Sequence, residues 1–590
     1  MKCNDLFSVR AQAAGPFVGA LLLVVLTVPA QADATPDARV REYVMPTRIV
    51  WQSAAEGSTV QHAERLLEPF SGQITLDHRA GCVLRHDGRA PGILLDFGRE
   101  LHGGVQIAVA DLKNATPESK TVRVRVRFGE SVSEAMSELG GEKNATNDHA
   151  VRDDEIRLPW LGSAEFGNTG FRFVRLDLVE PGTTVTLKAV RAVYLHRGLP
   201  MLGRFRCNDE RLNRIWDTGA YTVYLNMQDY VWDGIKRDRL VWIGDMHPET
   251  RTIGAAFGSV RVVNASLDLI RDDTPLPRWM NGISSYSLWW IILQRDWYRQ
   301  TGDLDYLRQQ QAYLAGLLEA LARHIGPDGA ETLPEMRFLD WPSSGNKKAI
   351  HAGLQSLMVL AFEAGREMAD ALGDKPTADQ SARALARLRR HTPEPGGSKQ
   401  AAALLALGGL GDPAVLNREV LARDGGKGLS TFYGYYVLEA RAKAGDFQGA
   451  LDNIRQFWGA MLELGATTFW EDFNLEWAEN AARIDEIVPP GKKDIHGDFG
   501  AYCYKGFRHS LCHGWASGPT AWLSEHVLGV QIVEPGCRVV RITPHLGDLK
   551  WVEGTYPTPR GLIRIRHEAA PGGAVKSDIQ APEGVRILRE

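Results

Sequence analysis

The chain has 590 residues, more than one ordinary hydrophobic core organises, so two or three domains are expected. Its 68 basic and 72 acidic residues nearly cancel and form no basic block, which excludes the electrostatic footprint of a nucleic-acid binder. With 44% hydrophobic and 24% charged residues, the composition is that of a globular protein in water.

The first 32 residues read as a processing signal. Lys2 and Arg10 give a positive start, Gly15 to Ala30 is apolar, and Ala30-Gln31-Ala32 supplies the small-x-small cleavage pattern. Cleavage after Ala32 and a periplasmic or secreted location are expected. A retained anchor is the alternative, although the apolar core is short for a span and no later stretch could cross a bilayer. Of the cysteines, Cys82, Cys207, Cys503, Cys512 and Cys537 would survive cleavage, an odd set with no C-x-x-C pair. Neither a metal nor another cofactor is expected.

Residues from about 40 to 200 read as short strands of a β-sandwich. Thr121 to Phe128 alternates strictly, placing Val122, Val124, Val126 and Phe128 on one face. Ile93–Gly98, Phe171–Leu176 and Val185–Val190 are further strands, parted by turns such as Glu180-Pro181-Gly182. Ser131 to Asp154 is polar, carries Gly140-Gly141, and reads as a long loop.

The pattern then turns helical, from an N-cap expected at Asn208 onward. Helices are predicted at about 284–300, 303–324, 350–372, 377–391, 398–408, 413–423, 430–444, 446–464 and 509–528. Short loops between them imply antiparallel pairs, and ten to twelve such helices would close an (α/α)6 toroid with its cleft at one end. Strand signals return at Arg538–Ile542 and Gly561–Arg566. The expected domains are a signal peptide at 1–32, a sandwich at 33–203, the helical catalytic domain at 204–530, and a small β domain at 531–590 packed on it.

Three stretches hold the chemistry. Trp232 to Glu249 gathers Asp233, Asp238, Asp245 and Glu249 with Arg237, Arg239, His247 and Trp242. Inert pairing of the arginines with these acids is the structural alternative. Gly465 to Phe473 presents Trp470 and Glu471 after two threonines, either as a working carboxylate beside an aromatic or as a helix-ending turn. Phe507 to Pro519 contains His513, either a substrate ligand or a satisfied core histidine. The chain also has 16 Trp, whose flat rings suit sugar faces as well as large cores.

These stretches, in this order after a β-rich region, resemble the bacterial α-L-rhamnosidases of glycoside hydrolase family 78. The family's first motif, Asp-Cys-Pro-x-Arg-Glu-Arg-Leu-Gly-Trp-x-Gly-Asp, is matched at Asp233, Arg237, Arg239, Leu240, Trp242, Gly244 and Asp245. Its catalytic Glu falls on Asp238, Gly234-Ile235 replaces Cys-Pro, and Val241 replaces a Gly. The second motif, Gly-Ala-Thr-Thr-x-Trp-Glu, is intact from Gly465 to Glu471, and the third resembles Ser510, Leu511 and His513. Asp96-Phe97-Gly98 and Gly170 to Arg175 are similar to sandwich motifs of the family.

The resemblance implies an exo-acting hydrolase that releases terminal α-L-rhamnose with inversion from a polysaccharide, oligosaccharide or glycoside. Asp238 is then the general acid and Glu471 the general base. Asp233, Arg237, Trp242, Asp245, Trp289, Asp340, Trp341, Trp470 and His513 are candidates to bind substrate, with Trp290 as a further wall. Arg237 is expected to point at substrate or at Asp233, so as not to oppose a proton on Asp238. Two other readings stand beside this one. One is another glycosidase or a polysaccharide lyase on the same toroid, with Tyr502, Tyr504, His509 or His513 as base. The other is a binding protein that has lost its acid. The expected partner is a rhamnose-containing glycan or glycoside, with no nucleic acid, no membrane after cleavage, and no oligomeric state legible.

Overall fold

The alternation at Thr121 to Phe128 has the outcome its period demands. In the computed structural model, which describes residues 39–77, 79–114, 118–334 and 336–589, the strand runs Thr121–Gly129. Val122, Val124, Val126 and Phe128 are all buried. Arg123 and Arg125 turn outward and pair across the sheet with Glu155 (2.9 Å) and Asp153 (2.6 Å). Arg127 departs from the pattern: it is buried and satisfied by Asp177 at 2.6 Å. The expected signal peptide at 1–32 lies outside the described residues.

Among the described residues this strand belongs to a nine-stranded sheet. Its path runs Ser58–Gln61, Cys82–His86, Thr184–His196, Gly92–Lys113, Gly162–Leu178, Thr121–Gly129, Asp153–Pro159; Val40–Val44 adds to Thr184–His196, and Arg48–Gln52 to Gly92–Lys113. Several strands outrun the sequence reading. Gly92–Lys113 continues through Gly103 because shifts of register between Asp96 and Leu101 and between Gly103 and Val105 let it bend without ending.

Its first half carries Asp96, which takes both forks of Arg172 at 2.9 and 3.0 Å. The same guanidinium donates to the carbonyl of Gly465 at 3.1 Å, so the β region grips the Gly465–Phe473 stretch directly. Gly170 holds the first one. Its N–H donates to the carbonyl of Ile235 at 2.9 Å, and a Cβ there would lie 2.7 Å from the Ile235 side chain.

His102 is wholly buried between these layers, edge-on to Trp232 with 5.4 Å between ring centroids. Burial, with help from the Arg239 and Arg39 charges, lowers its pKa to about 3. The unfolded chain binds this proton below about pH 6.5, and the folded one does not. The contribution is therefore present above the unfolded pKa and is lost as pH falls towards 3. His102→Leu removes it. Between pH 6 and 4, the stability of the parent relative to this variant should fall by about 1.4 kcal/mol per pH unit in urea unfolding. Parallel stability curves would contradict the assignment.

The helical region opens one residue later than expected. Asp209, not Asn208, caps Glu210–Asn226 by accepting from Arg211 and Leu212, while Asn208 receives the N–H of Lys550 at 2.7 Å. Two helices were not foreseen, Met246–Phe257 and Arg261–Asp272. The former is buried on nearly every side, so it has no polar stripe to betray a period of 3.6.

The helix expected at 509–528 is broken. Gly506–Arg508 is a 3-10 turn, Ser510 to His513 is not helical, and helix begins only at Gly514 as a 3-10 turn leading into Gly518–Trp522 and a π turn at Leu523–Val527. Six helices contact one another in a closed cycle. They are Met246–Phe257, Ser284–Thr301, Lys347–Leu372, Lys399–Leu407, Gly434–Lys443 and Gly518–Trp522, the last touching the first.

The C-terminal strands pack on this ring and share its core through Val540, Ile542, Val552, Ile563 and Ile565. Arg204–Cys207 joins them by pairing with Trp551–Thr558, so the segment that enters the helical region also closes the C-terminal sheet.

Candidate active site

At the N-terminal ends of the ring helices lies a cavity of about 490 Å³. Its walls include Asp233, Arg237, Asp238, Trp242, Asp245 and His513, with Glu471 at the base of the second stretch. The three stretches are thus brought to one place. An isolated bridge between Gly234 and His513 ties the first to the third, and Gly234 makes it tight: a Cβ there would sit 3.1 Å from the His513 ring. Gly244 does the same beneath Tyr286, whose ring a Cβ would approach to 2.3 Å.

Glu471 is buried and held on both oxygens. Oε2 accepts the N–H of Ser510 at 3.1 Å, and Oε1 accepts from Arg237. Arg237, expected at substrate or at Asp233, does border the cavity, but its charged partners are others. Its guanidinium pairs with Glu471, stands 3.6 Å from Asp238, and lies 4.6 Å over the Tyr504 ring. Asp238 sits on a left-handed backbone (φ 54°), followed by Arg239 in the same region (φ 57°). Two successive non-glycine residues there store strain, which Asp tolerates better than most. His149, from the predicted polar loop, reaches Asp238 Oδ1 with its Nδ1 at 3.3 Å.

Beneath these lies a charged floor. Tyr286 donates to Asp245 Oδ1 at 2.9 Å, and His513 Nε2 is 3.1 Å from Oδ2. Burial opposes a charge on His513, but Glu471, Asp245 and Asp233 outweigh it and raise its pKa. Asp233 accepts the N–H of Leu240 at 3.0 Å, and burial pushes its carboxyl well above the usual range.

A second cluster supports the loop from behind. The Lys236 ammonium lies 2.9 Å from Glu130 and 3.1 Å from Glu134, and donates to the carbonyls of Phe507 (2.9 Å) and His509 (2.6 Å). Glu130 also accepts the N–H of Leu511 at 2.6 Å. Glu130, Glu134 and His496 stand close enough together to hold a metal ion, as do Glu439, Glu525 and His526. Lys236 fills that part in the first group, and Arg251, 2.6 Å from Glu525, in the second.

Some predicted ligands lie elsewhere. Trp289 is buried between His247 and Tyr436, stacked at 4.9 and 4.8 Å, and Trp290 is buried with its indole N–H on the carbonyl of Leu267; neither borders the cavity. Trp470 is buried edge-on to Phe473. Asp340 is buried behind Trp341, accepting from Ser343 and Ser430. Trp341 itself borders the cavity and stacks on exposed Tyr502 at 5.5 Å. His509, a candidate lyase base, is buried and its Nε2 already accepts the N–H of Asp472 at 2.8 Å. Sequence reasoning missed the apolar walls Ile283, Tyr286, Phe338 and Trp515, and it missed His149.

Residues 200–392 match the bacterial alpha-L-rhamnosidase 6 hairpin glycosidase domain, and residues 529–588 match the bacterial alpha-L-rhamnosidase C-terminal domain. An alpha-L-rhamnosidase of Formosa agariphila is 21% identical over 154 residues, 26% of this chain and 16% of that protein. The GH78 family rhamnosidase of Bacillus sp. GL1 superposes with a TM-score of 0.70 at 23% identity, covering 86% of this chain and 54% of the other. A Klebsiella oxytoca rhamnosidase with rhamnose bound gives 0.63 at 18% identity, covering 83% of this chain and 96% of the other. The Streptomyces avermitilis α-L-rhamnosidase complexed with L-rhamnose gives 0.64 at 18% identity, covering 87% and 50%. The chain thus spans about half the length of the Bacillus relative and a sixth of the Formosa one. At these identities the structural likeness speaks for the fold. Residues 200–392 and 529–588 are thus similar to the six-hairpin glycosidase domain and the C-terminal domain of bacterial α-L-rhamnosidases.

Proposed function

We propose that the protein is an exo-acting glycoside hydrolase that removes terminal α-L-rhamnose with inversion. Asp238 acts as general acid and Glu471 as general base. We read the cycle of six helices as the inner layer of an (α/α)6 toroid spanning 204–530, the nine-stranded region at 33–203 as a sandwich, and 531–590 as the C-terminal domain. Residues 1–32 are read as a signal peptide for export to the periplasm or medium.

The observation that carries the catalytic reading is that both carboxylates border one cavity, with Arg237 paired to Glu471 and 3.6 Å from Asp238. One guanidinium between them keeps the pair no farther apart than the ~9.5 Å upper limit for an inverting couple. Glu471, ionised against Arg237, takes a proton from water, and the water oxygen attacks the anomeric carbon. The glycosidic C–O bond breaks as the Asp238 proton passes to the leaving oxygen. Asp233, Asp245 and His513 offer polar contacts to sugar hydroxyls. Trp242, Ile283, Tyr286, Phe338 and Trp341 give an apolar wall suited to the 6-methyl of a deoxy sugar. Two of the similar structures contain rhamnose, which supports this choice of sugar.

Asp238→Asn tests the acid. On an alkyl α-L-rhamnoside kcat should fall by about 10²–10⁴-fold. On 2,4-dinitrophenyl α-L-rhamnoside, whose leaving group needs no proton, most of the rate should remain. Equal losses on the two substrates would remove Asp238 from the acid role.

A further inference from the structure

The polar segment between Ser131 and Asp154 is not a free surface loop. Phe507 N–H donates to the carbonyl of Lys143 at 2.7 Å, and Asn144 donates to the carbonyl of Lys505 at 3.2 Å. Arg239 then fixes the loop's far end, donating to the carbonyls of His149 at 2.8 Å and Asn168 at 2.9 Å. The side chain so delivered is the His149 imidazole, half-buried beside Asp238.

Its two nitrogens have different neighbours. Nε2 lies 3.0 Å from Arg508 Nη2, and a guanidinium can only donate, so Nε2 must accept. Arg508 is itself held by Asp148, its Nε 2.9 Å from Oδ2, and Asp148 stands 3.6 Å from Nε2. The imidazole hydrogen is therefore on Nδ1, which faces Asp238 Oδ1 at 3.3 Å. Arg237 Nε stands 3.6 Å from the same Oδ1, and the carboxyls of Asp233 and Asp245 are also close enough to feel the charge of Asp238. Both nitrogens stand nearest Oδ1, Arg237 Nε without a hydrogen bond, which leaves Oδ2 as the freer oxygen of the carboxyl. Asp also has a shorter reach than the Glu of the motif it resembles, so a fixed carboxyl plane matters more here.

We infer that His149, contributed by the N-terminal β region, is a positioning residue that holds the Asp238 carboxyl by Oδ1 and reserves Oδ2 for the proton delivered to the leaving group. The inference rests on the reading of Asp238 as the acid. It adds a requirement that the helical region alone cannot meet: the acid is completed by a loop of the β region.

The test uses the full chain with His149→Leu, His149→Asn and His149→Gln, each checked for an unchanged melting transition. The substrates are methyl α-L-rhamnoside and 2,4-dinitrophenyl α-L-rhamnoside. His149→Leu should lower kcat on the methyl glycoside by about 10–100-fold, the value of one hydrogen bond to a charged group. KM should stay put, and the dinitrophenyl rate should change little. Asn places an N–H where Nδ1 was and should restore most of the loss, whereas Gln, which places it at Nε2, should not. Equal losses on both substrates, or equal rescue by Asn and Gln, would overturn the inference. An inactive Asp238→Asn with an unaffected His149→Leu would overturn it alone. Full methyl-glycoside activity in Asp238→Asn would overturn the acid reading and the inference together.

Discussion

Glu471→Gln should lower kcat on an aryl α-L-rhamnoside by about 10²–10⁴-fold, with KM nearly unchanged and the leaving group without influence. Glu471 is buried, its carboxylate is charge-paired with Arg237, and its second oxygen accepts a backbone N–H from Ser510. A glutamine fills the same space and keeps one acceptor, but it cannot take a proton from water. The fold loses little, because Arg237 retains Asp238 and the face of Tyr504. Loss of the base strikes good and poor leaving groups alike, whereas loss of Asp238 does not. The two variants therefore give opposite patterns on the same pair of substrates, and kinetics with both substrates check this. A Glu471→Gln enzyme with more than a tenth of the parental kcat would remove Glu471 from the base role.

Lys236→Met should cost about 3–5 kcal/mol of stability, the largest effect expected from a single change outside the cavity. Burial alone would drive the Lys236 pKa down, but Glu130 and Glu134 reverse this and raise it, so the ammonium stays charged and ties both carboxylates. Removing it leaves two buried acids without their cation, and the carbonyls of Phe507 and His509 without their donor. Chemical denaturation of the variant measures the loss. Adding Glu130→Gln and Glu134→Gln to it should recover much of that loss, since the penalty belongs to unpaired charge. A triple variant no more stable than Lys236→Met would show that the cost lies in packing instead.

What the sequence made legible follows the range of the interactions. Local periodicity exposed the strand at Thr121 and the helices with a polar face. It missed Met246–Phe257 because a helix buried all round has no stripe, and it joined 509–528 into one helix across Gly514 and Gly518-Pro519. Motif spacing brought Asp233, Asp238, Asp245, Glu471 and His513 to one cavity. Residue type alone misled for Trp289 and Trp470, where the large core and the sugar face ask for the same side chain. The partner of Arg237, the Glu130–Glu134–Lys236 cluster and the reach of His149 to Asp238 were not legible. Each joins the β region or one stretch to another that is distant in the chain, and no local pattern encodes such a pairing.

Asp238 departs from the motif it resembles more than Glu471 does. Glu471 keeps its whole motif and its Ser510 contact. Asp238 is one methylene shorter than the Glu of its own motif, stands on a left-handed backbone, and is approached by a histidine from another region.

The most direct measurement is proton NMR of the first sugar released from an aryl α-L-rhamnoside by the intact protein, read before mutarotation. The account predicts that β-L-rhamnose appears first. Initial release of α-L-rhamnose, or no release of sugar at all, would contradict it.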